Sequence, residues 1–335
     1  MRAYQLNASK GIDRVEQVNR PDPTVGRGQI LLRMRAASLN FRDLLVVRGV
    51  YGPAMPENII PLSDGAGEVI AVGEGVTRFK VGDMACPTFY AGWIGGDMDA
   101  DDAVTALGGY VDGVLAEMVV CDQQFAVKPP AHMSYEQAAC LPCAGVTVWA
   151  SLYGSRPLLA GQTVLTLGTG GVSTLAIQFA NAAGARVIST SSSDAKLEKA
   201  RALGAHETIN YVTHPDWDQE VLRLTDGKGA DHVVEIGGGG TLAKSIAAAA
   251  YGGQVHLIGV LTQGEINPLP LMRWKTLRGI FVGSRNHFEQ MNRMLELHRI
   301  EPMIDKVFDF DAAADAYRHL ESAAHSGKVV IRFPD

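Results

Sequence analysis

Val164-Leu165-Thr166-Leu167-Gly168-Thr169-Gly170-Gly171-Val172-Ser173 runs directly into Thr174-Leu175-Ala176-Ile177-Gln178-Phe179-Ala180, and this stretch decides the fold. Its first four residues read as a short buried strand, the glycines as a tight turn, and the remainder as a helix. Strand, glycine turn and helix in that order form the dinucleotide-binding fingerprint. The first glycine permits the turn, the second lets backbone approach a pyrophosphate, and the helix start offers free N–H groups and a favourable dipole. Ser173 stands where a third glycine is usual and is small enough to leave helix and strand in contact. A glycine turn alone is weak evidence. Here further apolar strands follow at 186–190, 208–210, 232–236 and 254–258, the rhythm of a parallel sheet covered by helices.

Upstream the rhythm differs. Residues 1 to about 125 read as short strands at 30–34, 67–73 and 115–120, separated by Gly, Pro and Asp clusters, and the helical alternation sets in near residue 134. With 335 residues, two domains are expected. Hydrophobic residues make up 47% and charged residues 20% of the chain, a composition that excludes disordered and membrane-embedded classes. A net charge of -6 with interspersed signs gives no footprint for nucleic acid. The opening MRAYQLNASKGIDRVEQ carries charges where a secretory signal needs an apolar core, so a cytoplasmic protein is expected. Cys86, Cys121, Cys140 and Cys143 are too scattered for a disulfide framework.

The choice of nucleotide turns on the end of the second strand, where an NAD site places Asp or Glu. This chain has Ser191-Ser192-Ser193 there, with Lys196 on the following helix. Hydroxyls and a nearby cation suit the 2′-phosphate of NADPH, with NADH the less favoured alternative. The serines could instead cap the helix beginning near Asp194, and Asp194 could meet a ribose.

Asn40-Phe41-Arg42-Asp43, Asp64-Gly65-Ala66-Gly67-Glu68-Val69, Val81-Gly82-Asp83, residues 113–117, the glycine turn, Gly252-Gly253 and Gly327-Lys328-Val329-Val330 together resemble the medium-chain dehydrogenase/reductase superfamily almost end to end. Within it the chain resembles the zinc-free branch around the NADPH-dependent quinone oxidoreductases. The resemblance implies an α/β protein: a GroES-like, mostly β catalytic domain over 1–127 and 287–335, and a Rossmann doubly wound parallel sheet over 128–286. It also implies a homodimer or homotetramer joined through the cofactor domains.

Measured against the zinc alcohol dehydrogenases, two ligand positions are lost. Asn40 stands for the early cysteine and Ser63-Asp64 for the His-Glu pair, while Cys143 matches the remaining position. Zinc needs Cys, His or carboxylate ligands, so no metal is expected. The four-cysteine structural lobe is replaced by residues 92–102, an acidic loop whose aspartates lack EF-hand register. Cys140-Leu141-Pro142-Cys143 is formally CxxC, in an apolar helical stretch where buried thiols act as small hydrophobes.

The resemblance assigns polar groups near the nicotinamide to Asn40 and Tyr51, the latter a candidate donor to a developing enolate or alkoxide, with Thr147 beneath the ring. Tyr51 could equally be a loop aromatic, Asn40 a turn residue, and Asp43 structural. Gly168, Thr169, Gly170, Gly171 and Val172 take the pyrophosphate, and Ser191, Lys196 and Tyr211 the 2′-phosphate. Gly259, Val260, Gly283 and Ser284 line the nicotinamide side. Lys328 is a candidate cofactor contact, although an exposed lysine needs no such role. The leading expectation is NADPH-dependent, zinc-independent reduction of a small quinone or α,β-unsaturated carbonyl. The alternatives are an alcohol dehydrogenase or carbonyl reductase and a crystallin-like, non-catalytic NADPH binder.

Overall fold

Strand β1 (Arg2–Leu6) pairs antiparallel with β2 (Val15–Asn19). The longest strand, β3 (Gln29–Leu39), is the hub of a mixed sheet, and its Ile30, Leu32 and Met34 alternate into the core as a half-buried strand should. Helix α1 (Phe41–Val47) follows it, then β4 (Asp64–Val72), β5 (Met84–Pro87), the short α2 (Ala100–Ala103), β6 (Met118–Asp122), β7 (Ala126–Val127) and α3 (Tyr135–Ala138). In this computed structural model residues 1–6, 11–51 and 55–334 are described, and two units are found: 1–146 with 283–335, and 147–282.

In the second unit α4 (Val146–Tyr153) leads to β8 (Thr163–Leu167), α5 (Gly171–Ala182), β9 (Arg186–Ser191), α6 (Asp194–Ala202), β10 (Glu207–Asn210), α7 (Trp217–Leu224), β11 (Ala230–Glu235), α8 (Gly239–Ala248), β12 (Ala249–Leu257) and β13 (Thr276–Gly279). The sheet order is β10-β9-β8-β11-β12-β13, all parallel. Every residue of β8 is buried, as helices covering both faces of a parallel sheet require. Order reverses between β8 and β11, so the crevice outside their carboxyl ends is the expected ligand position of a doubly wound sheet. On β11 and β12 the buried His232 and His256 rings stack, with His232 Nδ1 and His256 Nε2 3.1 Å apart and Gln254 beside them.

The chain then returns to the first unit as α9 (Arg285–His298), β14 (Ile304–Asp309), α10 (Ala313–Glu321) and β15 (Lys328–Arg332). The mixed sheet runs β14-β15-β3-β4-β5-β7, with β6 against the first half of β3.

The observed division differs from the boundaries read from sequence. Residues 128–146 belong with the first unit, not the second: α3 packs on β3, β4 and β15, Ser38 Oγ donates to the Ala139 carbonyl at 2.8 Å, and Asn292 Nδ2 donates to the Lys128 carbonyl at 2.9 Å. The helical rhythm starting near residue 134 marks a change of secondary structure before the change of core. At the other junction Gly283 and Ser284 also fall in the first unit. The strand expected at 115–120 begins only at Met118, because Val114 and Leu115 donate backwards to Leu62 and Pro61 instead of joining the ladder.

Candidate active site

The glycine turn of the second unit has the geometry its sequence requires. Gly168 has a φ of 71°, a conformation that glycine adopts without strain. A Cβ placed on Gly170 would meet nothing within 4 Å, so no internal contact explains that glycine. Open space there leaves backbone approachable from outside, as a pyrophosphate needs. Gly170 caps α5 without a side-chain bond, so the first-turn N–H groups of Gly171 and Val172 have no side-chain acceptor at the cap. Thr169 is buried. Ser173 does more than fit: its Oγ donates to the Leu167 carbonyl at 2.6 Å, tying helix start to strand end.

At the end of β9, Ser191 is buried and its backbone carbonyl accepts the Tyr211 N–H at 3.0 Å, while the Tyr211 side chain is exposed. Ser193 occupies the cap of α6 but makes no side-chain cap bond, while Ser191 Oγ accepts the Ser193 N–H at 3.4 Å. The nearest acid, Asp194, accepts a hydrogen bond from Asn210 Nδ2 at 2.7 Å. Lys196 sits partly buried in the first turns of the same helix.

Two further turns close the row. Glu235 ends β11 fully buried, and its carboxyl accepts from the Gly237 and Gly238 N–H groups at 2.6 and 3.0 Å, the Thr241 hydroxyl at 2.6 Å and the Ser245 hydroxyl. That loop is zipped to the next: Gly239 N–H donates to the Thr262 carbonyl, and Thr262 N–H to the Gly237 carbonyl. Gly259 approaches the β11 turn so closely that a Cβ would lie 1.6 Å from the Ile236 carbonyl oxygen. Val260 beside it is exposed. Thr147, in α4, is buried, and its carbonyl accepts the Ser151 hydroxyl at 2.8 Å.

In the first unit the structure brings Asn40 and Lys328 together. Lys328 is not the exposed lysine the sequence allows: it is 3% exposed, because it opens β15 directly beside the end of β3. Its Nζ donates to the Leu39 carbonyl at 2.7 Å and to Asn40 Oδ1 at 2.5 Å, and stands 3.7 Å from Oδ2 of the fully buried Asp64. Asp64 Oδ1 accepts the Ser63 hydroxyl at 2.7 Å and Oδ2 the Cys143 N–H at 3.1 Å. Cys143 lies in a π-helical turn, Leu141–Gly145, where the sequence suggests ordinary helix. Burial, with Asp64 adding to it, pushes its thiol far above the usual range. Burial likewise pushes the Cys140 thiol up to about 12, which fits an inert apolar role.

Tyr51 keeps different company. Arg42, nearly buried, lies between two rings, 4.5 Å from the Tyr51 centroid and 4.6 Å from that of Phe89, while its Nη1 donates to the Leu107 carbonyl at 2.9 Å. Burial raises the Tyr51 phenol and Arg42 partly offsets that. Asp43 accepts the Asn40 N–H at 2.7 Å, and burial lifts its carboxyl to about 6 despite Arg42. Ser284 is committed to capping α9, accepting the His287 N–H at 3.3 Å. The sequence reading missed Arg42 and Glu235 as shaping groups; the only available signal was a charged residue inside an otherwise apolar segment. In the acidic loop Asp99 caps α2, accepting the Asp102 N–H at 2.8 Å. Among the described residues no group of three or more His, Cys, Asp or Glu could hold a metal, and no helix is long and apolar enough to cross a membrane.

A GroES-like unit together with a parallel sheet carrying a glycine turn at its reversal point defines a class of oxidoreductases. The family model described as alcohol dehydrogenase GroES-like domain matches residues 26–131, and that described as zinc-binding dehydrogenase matches residues 171–297. A zinc-type alcohol dehydrogenase-like protein of Schizosaccharomyces pombe is 44% identical over 314 residues, 91% of each chain. Among solved structures, a NAD-dependent alcohol dehydrogenase is 34% identical with a TM-score of 0.91 over 99% of each chain. A quinone oxidoreductase of Pseudomonas syringae pv. tomato is 29% identical with a TM-score of 0.83 over 99% of each chain. The chain belongs to the medium-chain dehydrogenase/reductase superfamily and is an oxidoreductase.

Proposed function

We propose that the protein is an NADPH-dependent reductase that delivers a hydride to a quinone or an α,β-unsaturated carbonyl without a catalytic metal. The observation that carries this reading is the chemistry of the Asn40, Asp64 and Cys143 cluster. Zinc needs thiolate, imidazole or free carboxylate. Here Asn40 offers only a neutral amide, both carboxyl oxygens of Asp64 are engaged, and a lysine ammonium stands 3.7 Å away. That set does not fit zinc.

Gly168 to Val172 would hold the pyrophosphate, Ser191, Lys196 and Tyr211 the 2′-phosphate, and Thr147, Gly259, Val260, Gly283 and Ser284 the nicotinamide side. When bound, the coenzyme supplies the hydride. Against a NAD-dependent relative at 34% identity, the serines in place of an acid at the end of β9, with Asp194 tied to Asn210, favour NADPH. Tyr51, its phenol raised and therefore protonated at neutral pH, donates to the oxygen where charge develops, and the Asn40 amide adds a second hydrogen bond.

The test is steady-state oxidation of NADPH and of NADH by chelator-treated protein with quinones, enones and aldehydes. Turnover with NADPH and a quinone or enone, unchanged by chelator, is expected, and Tyr51→Phe is expected to lower kcat by roughly 10²-fold. Recovery of activity only on adding zinc, with an alcohol as the productive substrate, would sink the reading. Tight NADPH binding without turnover would point to the non-catalytic alternative.

We also propose a homodimer through the second unit. Its edge strand β13 has an unpaired side, and Tyr251, Leu269, Met272 and Trp274 are all exposed around it. Light scattering on the purified protein should give twice the chain mass, and Trp274→Glu should shift it to the monomer; an unchanged mass would reject this interface.

A further inference from the structure

We infer that Lys328 is a positioning residue: its buried ammonium locks the Asn40 amide so that Nδ2 is presented as a hydrogen-bond donor to a ligand oxygen. An ammonium only donates. The Asn40 atom facing it must therefore be Oδ1, and that bond is present at 2.5 Å. The same ammonium is anchored independently to the Leu39 carbonyl at 2.7 Å and lies 3.7 Å from Asp64. The Asn40 backbone is fixed as well, its N–H bonded to Asp43 at 2.7 Å. With Oδ1 taken, the amide cannot flip without setting an N–H against an N–H. Nδ2 is enclosed and has no acceptor among the described residues. An enclosed amide donor without an acceptor is unfavourable unless a ligand supplies one.

The residues gathered here, Asn40, Ser63-Asp64 and Cys143, stand at the positions that the resemblance matches to metal ligands in the zinc-dependent branch. In this chain the positive charge bonded to Asn40 is an ammonium on β15. It does not polarise a carbonyl directly; it sets the direction of a neutral amide that does. This inference rests on the reductase reading for the identity of the ligand, a carbonyl oxygen, but the locked amide is a property of the free protein.

The experiment compares two charge-balanced double variants, K328M/D64N and K328Q/D64N, with N40D. Removing both charges avoids stranding Asp64 in the core. Gln can still donate to Asn40 Oδ1 and Met cannot, so only donation separates the doubles. The expected result is a loss of kcat of about 10²-fold in K328M/D64N, with K328Q/D64N within about tenfold of the parent and KM little changed in both. N40D retains an acceptor for Lys328 but has no donor, so it should fold normally and lose kcat to the same extent as K328M/D64N. Equal kcat in the two doubles, or parental turnover by N40D, overturns the proposal.

A second readout needs no turnover. The Asn40 side-chain amide resonances, assigned by their absence in N40D, should be sharp in the parent and in K328Q/D64N and exchange-broadened in K328M/D64N. Identical resonances in all three overturn the proposal. If the parent reduces no carbonyl or quinone, the reductase reading fails, and these resonances alone decide the role of Lys328.

Discussion

Acidification from pH 6.5 to about 4 is expected to destabilise the 147–282 unit steeply, because two histidines are folded into it uncharged. His232 and His256 stack on β11 and β12, with Gln254 beside them and Arg156, Arg278 and Asp231 nearby. Burial, helped by the arginines, lowers His232 to about 4 and His256 to about 3. An unfolded histidine takes its proton near pH 6.5. Between that pH and the folded values the unfolded chain holds more protons than the folded one, so stability falls as pH falls. For two coupled groups the loss by pH 4 is on the order of 5 kcal/mol, comparable with the whole stability of a domain. Urea unfolding followed by fluorescence of Trp149 and Trp217, both in this unit, measures it. Replacing His256 by Leu removes one proton site and should flatten the slope between pH 6.5 and 4; an unchanged slope rejects the assignment. Asp43 in the other unit acts with opposite sign. Its folded carboxyl titrates near 6, so it stabilises its own unit as pH falls from 6 toward 4.

Glu235→Ala should destabilise the same unit by about 3 to 5 kcal/mol, the cost of leaving several buried donors without an acceptor. The substitution strands the Gly237 and Gly238 N–H groups and the Thr241 and Ser245 hydroxyls around a cavity. Because the 237–240 loop is hydrogen-bonded to Thr262, the turn carrying Gly259 and Val260 loses its support too. Thermal melting and coenzyme titration should therefore fail together, while Glu235→Gln, which keeps one acceptor oxygen, should lie between parent and Ala. A melting temperature unaffected by Glu235→Ala would show that the loop holds itself.

The parallel sheet was legible because its signals are local. Gly168 and Gly170 sit between a four-residue apolar run and a helix; Gly168 needs its left-handed backbone, and Gly170 stands in open space where no internal contact requires a glycine. The serines at 191–193 were legible as the absence of an acid, and the structure adds that Ser193 makes no side-chain cap bond. What the sequence hid depends on contacts between distant residues. Lys328 lies 288 positions from Asn40, and nothing near Gly327 signals that β15 will deliver its side chain into the core. The misplaced boundary at residue 127 has the same origin: α3 looks like the start of the helical unit until its partners, β3, β4 and β15, are known.

The first unit is sewn from both flanks of the chain. Its core joins Ile30, Leu32 and Leu62 to Phe310, Tyr317 and Ile331, and β3 lacks its β15 neighbour until Arg332 has been made. On the ribosome the central sheet can therefore close as soon as residue 279 has emerged, while β3 waits with its Ala36–Leu39 edge open. Order of completion thus reverses order of sequence: the central sheet can close first, and the Asn40 amide is fixed last, when Lys328 arrives.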